Sequence, residues 1–118
     1  MQFRTKRIPI NHEVSGYQAD MAAGWWGALY DESRRNKVLI GPNQEKMKDV
    51  VKAAEWNDYV IRAQGPRIRL TLNGVQTIDY TETEEGIDRT GIIAVQIHGG
   101  PPSEAWYKDI ILQELAPE

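Results

Sequence analysis

The chain has 118 residues, a formal net charge of -3 and no cysteine. That length suits a single domain, 1–118, with one modest core. Acids and bases are interspersed with no block of like sign, which speaks against nucleic-acid and membrane partners, and the missing cysteine excludes disulfides and Cys-based zinc sites.

No apolar run is long enough to span a bilayer, and the opening MQFRTKRIPI lacks the apolar core of a signal peptide. The chain as written is expected to be soluble and to stay where it is made. Gln2 to Ile8 reads as a strand with Gln2, Arg4, Lys6 and Ile8 on one face and Phe3, Thr5 and Arg7 on the other. Neither face is cleanly apolar, which suits a sheet edge or the wall of a cleft. Pro9 to Glu13 is a loop holding His12. Ser15 to Met21 is a second strand, with Tyr17, Ala19 and Met21 pointing one way and Gly16, Gln18 and Asp20 the other. The hydrogen-bonding face of Gln18 and Asp20 fits either a ligand or plain solvation.

Next comes GWWGALYDESRRNK, in which Trp25, Trp26 and Tyr30 suit an aromatic platform at a site or large core residues. Arg34 and Arg35 suit bidentate carboxylate pairs or solvated positions. Lys37 to Ile40 is a short strand stopped by Gly41-Pro42. Asn43 to Ala54 is the one helix candidate, with Asn43 as N-cap and Met47, Val50 and Val51 at helical spacing, although the β-branched pair Val50-Val51 also suits a strand.

Trp56 to Gln64 is a strand, and RIRLTLNGVQTIDY a hairpin about Asn73-Gly74. A two-residue loop would set Ile68 opposite Asp79. A three-residue loop, Leu72-Asn73-Gly74 with a bulge at Gly74, pairs Ile68 with Ile78 and Arg67 with Asp79, and is the expected form. Thr81 to Thr90 is an acidic connection. Gly91 to Leu115 then supplies two strand-like runs joined by Gly99-Gly100-Pro101-Pro102. In the first, Ala94, Gln96 and His98 share a face opposite Ile93, Val95 and Ile97. In the second, Trp106, Lys108, Ile110 and Leu112 share a face, so a lysine falls in phase with large apolar residues. A pocket would account for both the histidine and the lysine. Short, regularly spaced strands with at most one helix predict an all-β, antiparallel β-sandwich of jelly-roll type.

The segments VSGYQADM, GWWGALYDESRRNKVL, EWNDYVIRAQGPRIRLTLNGVQTIDY and GIIAVQIHGGPPSEAWYKDIILQEL, in that order, resemble the 3-keto-disaccharide hydrolase family. The resemblance implies a concanavalin A-like lectin or glucanase fold: two curved antiparallel sheets with a carbohydrate cleft on the concave face. It covers only the family's C-terminal part, since members usually begin with several further strands before the place where this chain has Phe3-Arg4. A sandwich lacking those N-terminal strands would leave edges open. Two copies are therefore expected to complete one another in an isologous homodimer. Relatives are commonly exported, which leaves the compartment open.

The family's chemistry implied by this resemblance is cleavage of glycosides already oxidised at C3. The ketone acidifies the C2 proton, a base removes it, and the aglycone leaves from C1; water then adds to the enone. Such a site needs a base, an electrophile and an acid. The residues that fit are His98 as acid or base, Lys108 as the cation for the enolate oxygen and Asp20 as a second acid or base. Gln18, Gln96 and Arg4 would hold hydroxyls, and Trp25 or Trp26 would stack on the sugar. No cofactor is implied, and a metal on His98 with Asp20 or Glu104 lacks any spacing such as HExxH to support it. Two further readings stand beside the enzyme: a non-catalytic carbohydrate-binding module, and a structural domain completed by a partner.

Overall fold

Among residues 1–97 and 102–116, which the computed structural model describes, eight strands and one short helix build two antiparallel sheets, a β-sandwich. The strands are β1 (Gln2–Arg7), β2 (Val14–Ala19), β3 (Leu29–Glu32), β4 (Lys37–Ile40), β5 (Tyr59–Gln64), β6 (Arg67–Leu72), β7 (Val75–Thr81) and β8 (Ile92–Ala94), with α1 (Gln44–Val50) between β4 and β5. One sheet runs β4-β3-β2-β1-β8 and the other β5-β6-β7. No helix among the described residues is long and apolar enough to cross a membrane.

Alternation places the core between the sheets. Phe3, Tyr17, Ala19 and Leu29 face Ile68, Leu70 and Ile78, all buried. The Phe3 and Tyr17 rings stack with centroids 5.6 Å apart. Burying each large aliphatic side chain of this kind contributes ~1.5–3 kcal/mol. Polar contacts across the gap fix how the sheets overlie. The Arg4 guanidinium of β1 donates to the Gly65 carbonyl at the β5–β6 turn, and Thr77 of β7 donates to the Gly27 carbonyl just before β3. The smaller sheet thus packs on β1 to β3, while Ile92 and Ile93 of β8 stay half exposed.

The helix is shorter than its sequence pattern. Asn43 caps it, accepting from the backbone N–H groups of Glu45 and Lys46, and Met47 is its buried residue. It ends at Val50 because Val51 is extended, as the β-branched pair favours. The following strand begins at Tyr59, three residues later than expected. Asn57 is taken up instead by a loop, where its side chain bonds the backbone of Lys52 and Glu55.

The hairpin departs from the expected form. Leu72 pairs with Val75, so the loop is the two residues Asn73 and Gly74, both at positive φ as a type I′ turn requires. The irregularity lies one step further on, where β7 holds an extra residue between the Thr71–Gln76 and Leu70–Ile78 pairs. Loop and shift together set Leu70 opposite Ile78 on the core face, and Arg69 rather than Arg67 opposite Asp79. Arg67 still grips Asp79 diagonally, with Nη2 2.6 Å from Oδ2.

A second correction concerns the run from Trp106 to Leu112. No strand forms in 102–116. Asp109 sits at φ 51°, which breaks the extended path and with it the expected alternation.

Candidate functional site: a groove on the larger sheet

The outer face of the larger sheet carries a row of side chains set by strand register. Gln2 pairs with Gln18 and with Ala94, and Gln18 pairs with Tyr30. Two residues on in the chain stand Asp20, just past β2, Glu32, at the end of β3, and Gln96, just past β8. A groove of about 670 Å³ opens over this face, within the ~300–1,000 Å³ of small-molecule sites. Gln18, Asp20, Trp25, Tyr30, Glu32 and Gln96 line it, and the far wall is Glu104 and Tyr107.

Hydrogen bonds pre-set the polar groups. Gln2 Nε2 donates to Gln18 Oε1 at 3.1 Å, and Gln18 Nε2 donates to Asp20 Oδ1 at 2.6 Å, a chain that aims one amide and one carboxylate along the floor. The Tyr59 hydroxyl donates to the backbone carbonyl of Asp20 at 3.0 Å, anchoring that end of β2 to the opposite sheet. Burial, reinforced by the Asp20 charge, pushes the Tyr59 hydroxyl well up, so it remains a donor. The wall is held by Tyr107, whose hydroxyl donates to the Gln96 carbonyl at 2.8 Å. Trp25 is half exposed, which leaves ring surface for a ligand.

Four residues expected at a site, Gln18, Asp20, Trp25 and Gln96, therefore meet in one groove. The others lie elsewhere. Arg4 turns to the Gly65 carbonyl of the other sheet. Trp26 is half-buried with its carbonyl accepting from the Gln44 amide, and it does not line the groove. The Lys108 ammonium sits 4.4 Å from the Trp56 ring centroid, a cation–π contact outside the groove lining. His98 lies outside the described residues. Tyr30, which the sequence offered as part of an aromatic platform or of the core, lines the groove, and Glu32 is a groove residue that the strand pattern did not single out; the alternation in Leu29–Glu32 was the available signal, once Tyr30 is known to face Gln18.

A second cluster of charge is architectural. Asp31 is fully buried on the inner face of β3 and takes bidentate bonds from Arg34, and Arg35 bonds both Asp31 and Glu82. Tyr17 and Tyr80 donate to the same Glu82 carboxylate. Burial raises the pKa of both acids, but the arginine hydrogen bonds outweigh it, holding Asp31 below the usual range and Glu82 at about 2. Every buried side-chain polar atom among the described residues has a partner. A smaller cleft of about 230 Å³, lined by Arg7, His12, Glu13 and Ile92, falls short of the ~300 Å³ lower end of ligand sites.

A family model described as a 3-keto-alpha-glucoside-1,2-lyase-like domain matches residues 1–113. The chain belongs to this family. It is a carbohydrate-active, 3-keto-glycoside lyase-like type of domain, a family that suggests a sugar as ligand class. No curated protein and no solved structure matches the chain. The family match reaches from β1 through the groove wall at Tyr107, so all the groove-lining residues named above lie inside it.

Proposed function

We propose that the groove binds a glycoside oxidised at C3 and expels its aglycone by elimination. The observation that carries this reading is the convergence of Gln18, Asp20, Trp25 and Gln96 on one groove of a family whose members are of the 3-keto-glucoside lyase type. In the proposed reaction Asp20 removes the C2 proton, and the C–H electron pair forms the enolate of the C3 ketone. The enolate then collapses to a C1=C2 double bond as the C1–O bond breaks, and the departing oxygen takes a proton from an acid. Water adding across the enone releases the 3-keto sugar.

Gln18 is placed to orient Asp20 through its 2.6 Å hydrogen bond, and its remaining amide capacity and that of Gln96 suit sugar hydroxyls. Trp25 offers the stacking face and Tyr30 a hydroxyl opposite Gln18. His98 is retained as the acid on the strength of its sequence position at the end of the Ala94, Gln96 phase. Lys108 rests on Trp56, so the proposed steps do not pass through it. We also take the working species to be a pair of chains, a reading supported by apolar side chains left open to solvent beyond β7.

The test is release of the aglycone from a chromogenic 3-keto-α-glucoside, with exchange of the C2 hydrogen for deuterium followed in parallel. Release together with exchange, both abolished in Asp20→Asn, is the expected result. Binding of the unoxidised glucoside with neither exchange nor release from the keto sugar would replace the enzyme by a binding module. No binding of either sugar would remove the groove from consideration.

A further inference from the structure

The way the sheets overlie leaves one flank uncovered. Ile92 and Ile93 of β8 are half exposed, and the stretch from Trp106 to Ala116 passes β5. There Trp106 meets Trp56 edge-on with centroids 6.3 Å apart, and the Ala116 carbonyl accepts from the Gln64 amide. The Tyr107 hydroxyl, bonded to the Gln96 carbonyl, ties this run to the β8 side, so both belong to one flank.

That flank is apolar and open. On the β8 side Ile93, Val95 and Ile97 are 47%, 51% and 64% exposed, Ile97 lying where the flank meets the groove that it also lines. On the other run Trp106, Ile110, Ile111 and Leu112 are 68%, 57%, 87% and 73% exposed. At ~200 Å² for a fully exposed large apolar residue, these side chains present roughly 900 Å². A monomer rarely shows a patch above a few hundred Å², whereas each partner in a standard stable interface buries ~800 Å². β8 is also an edge strand of the larger sheet, and Ile92 to Ile97 contains no charge and no proline to guard it.

We propose that this flank is a self-association surface, on which two copies related by a two-fold axis each set the β8 row against the other's Trp106 to Leu112 run. The area matches what one standard interface needs. The partner must itself be largely apolar there, and this flank is such a surface; of the two charges in the run, Lys108 is held over Trp56 and Asp109 is exposed. A two-fold axis lets the two unlike halves of the flank, a strand row and a projecting run, each find its complement in the other copy. The inference sharpens the paired species proposed above and is independent of the sugar chemistry.

The experiment is light scattering of the whole chain at micromolar concentration, with Val95→Lys and Ile111→Lys as variants. Both side chains are at least half exposed, so the variants keep the fold, which far-UV circular dichroism and a cooperative melt check. A wild-type mass twice the 13.4 kDa of one chain, with dissociation made about 100-fold easier by either substitution, is the expected result. A dimer indifferent to both variants overturns this surface but leaves pairing intact. A single-chain mass overturns both, and growth into larger species overturns the closed two-fold. Aglycone release, measured on the same samples, reports separately on the groove.

Discussion

Arg35 reaches across the sandwich to hold Glu82: its Nη2 lies 2.6 Å from Glu82 Oε1 and its Nη1 3.1 Å from Oε2, while its Nε bonds Asp31 on its own sheet. The Glu82 hydrogen bonds, the largest cause, raise the arginine's pKa further, so the guanidinium is a permanent cation at the seam. Removing it in Arg35→Ala would leave the buried Glu82 without its cation and Asp31 with Arg34 alone. The expected loss is about 3–5 kcal/mol in urea unfolding, against less than ~1 kcal/mol for Lys48→Ala, whose partner Glu45 is solvent-exposed.

The same seam sets an acid limit. Glu82 is held at about 2, against 4.5 for a free glutamate, and Asp31 is also depressed. A depressed acid stabilises the fold fully above its unfolded pKa and loses that contribution as pH falls through the folded one. Unfolding free energy should therefore drop between about pH 4.5 and pH 2, with Glu82 supplying on the order of 3 kcal/mol. In Glu82→Gln the protein is weaker at pH 7 and its stability changes less over that interval; an unchanged slope would locate the acid sensitivity elsewhere.

Asn73 joins three parts of the chain at the hairpin turn. Its side chain donates to the Val50 carbonyl and to Asn57 Oδ1, and accepts from the Asp58 N–H, all at 2.8 Å, while its own φ is 49°. Asn73→Ala loses the bonds and strains the turn, an expected cost of about 2–4 kcal/mol. Asn73→Gly keeps the backbone conformation and loses only the bonds, so its melt should fall between the two.

In the groove, Asp20→Asn is expected to lower elimination by about 10²–10⁴-fold, the usual contribution of a positioned base. Sugar binding should survive, because Gln18, Gln96 and Trp25 are untouched. Trp25→Ala should do the reverse, weakening binding by about tenfold, ~1.4 kcal/mol, with turnover at saturation little changed. Equal loss in both parameters for both variants would indicate a structural defect.

The fold class and most strand phases were legible because alternation is a local property: Tyr17 and Ala19 go inward and Gln18 outward wherever β2 lies. Asn43 was likewise readable as a cap from its chemistry. What sequence could not supply were events that interrupt alternation. The two-residue loop and the extra residue in β7 together moved Asp79 from Arg67 to Arg69, and the left-handed Asp109 kept Trp106 to Leu112 from becoming a strand. Lys108 lost its expected groove position for that reason, since its place depended on a strand that does not form. Glu32 entered the groove only through the pairing of its strand with β2, a relation between segments that neither segment encodes alone, whereas Tyr30 already stood out as an aromatic beside Trp25 and Trp26.

One such interruption lies in β1. Register shifts between Phe3 and Lys6, Arg4 adopts φ 48°, and its guanidinium leaves for the rear sheet. The flanking strand residues Gly16 and Gly91 leave no room for a side chain there, a Cβ on either falling within 2.7 Å of the Arg4 or Thr5 backbone. The effect is that of a shifted reading frame: residues before the bulge and residues after it obey different alternations, and the letters alone do not say which. Had the frame run straight, Arg4 would stand beside Gln2 and give the groove a fixed cation. The backbone path of β1, held by two glycines, thus decides which sheet receives the Arg4 charge.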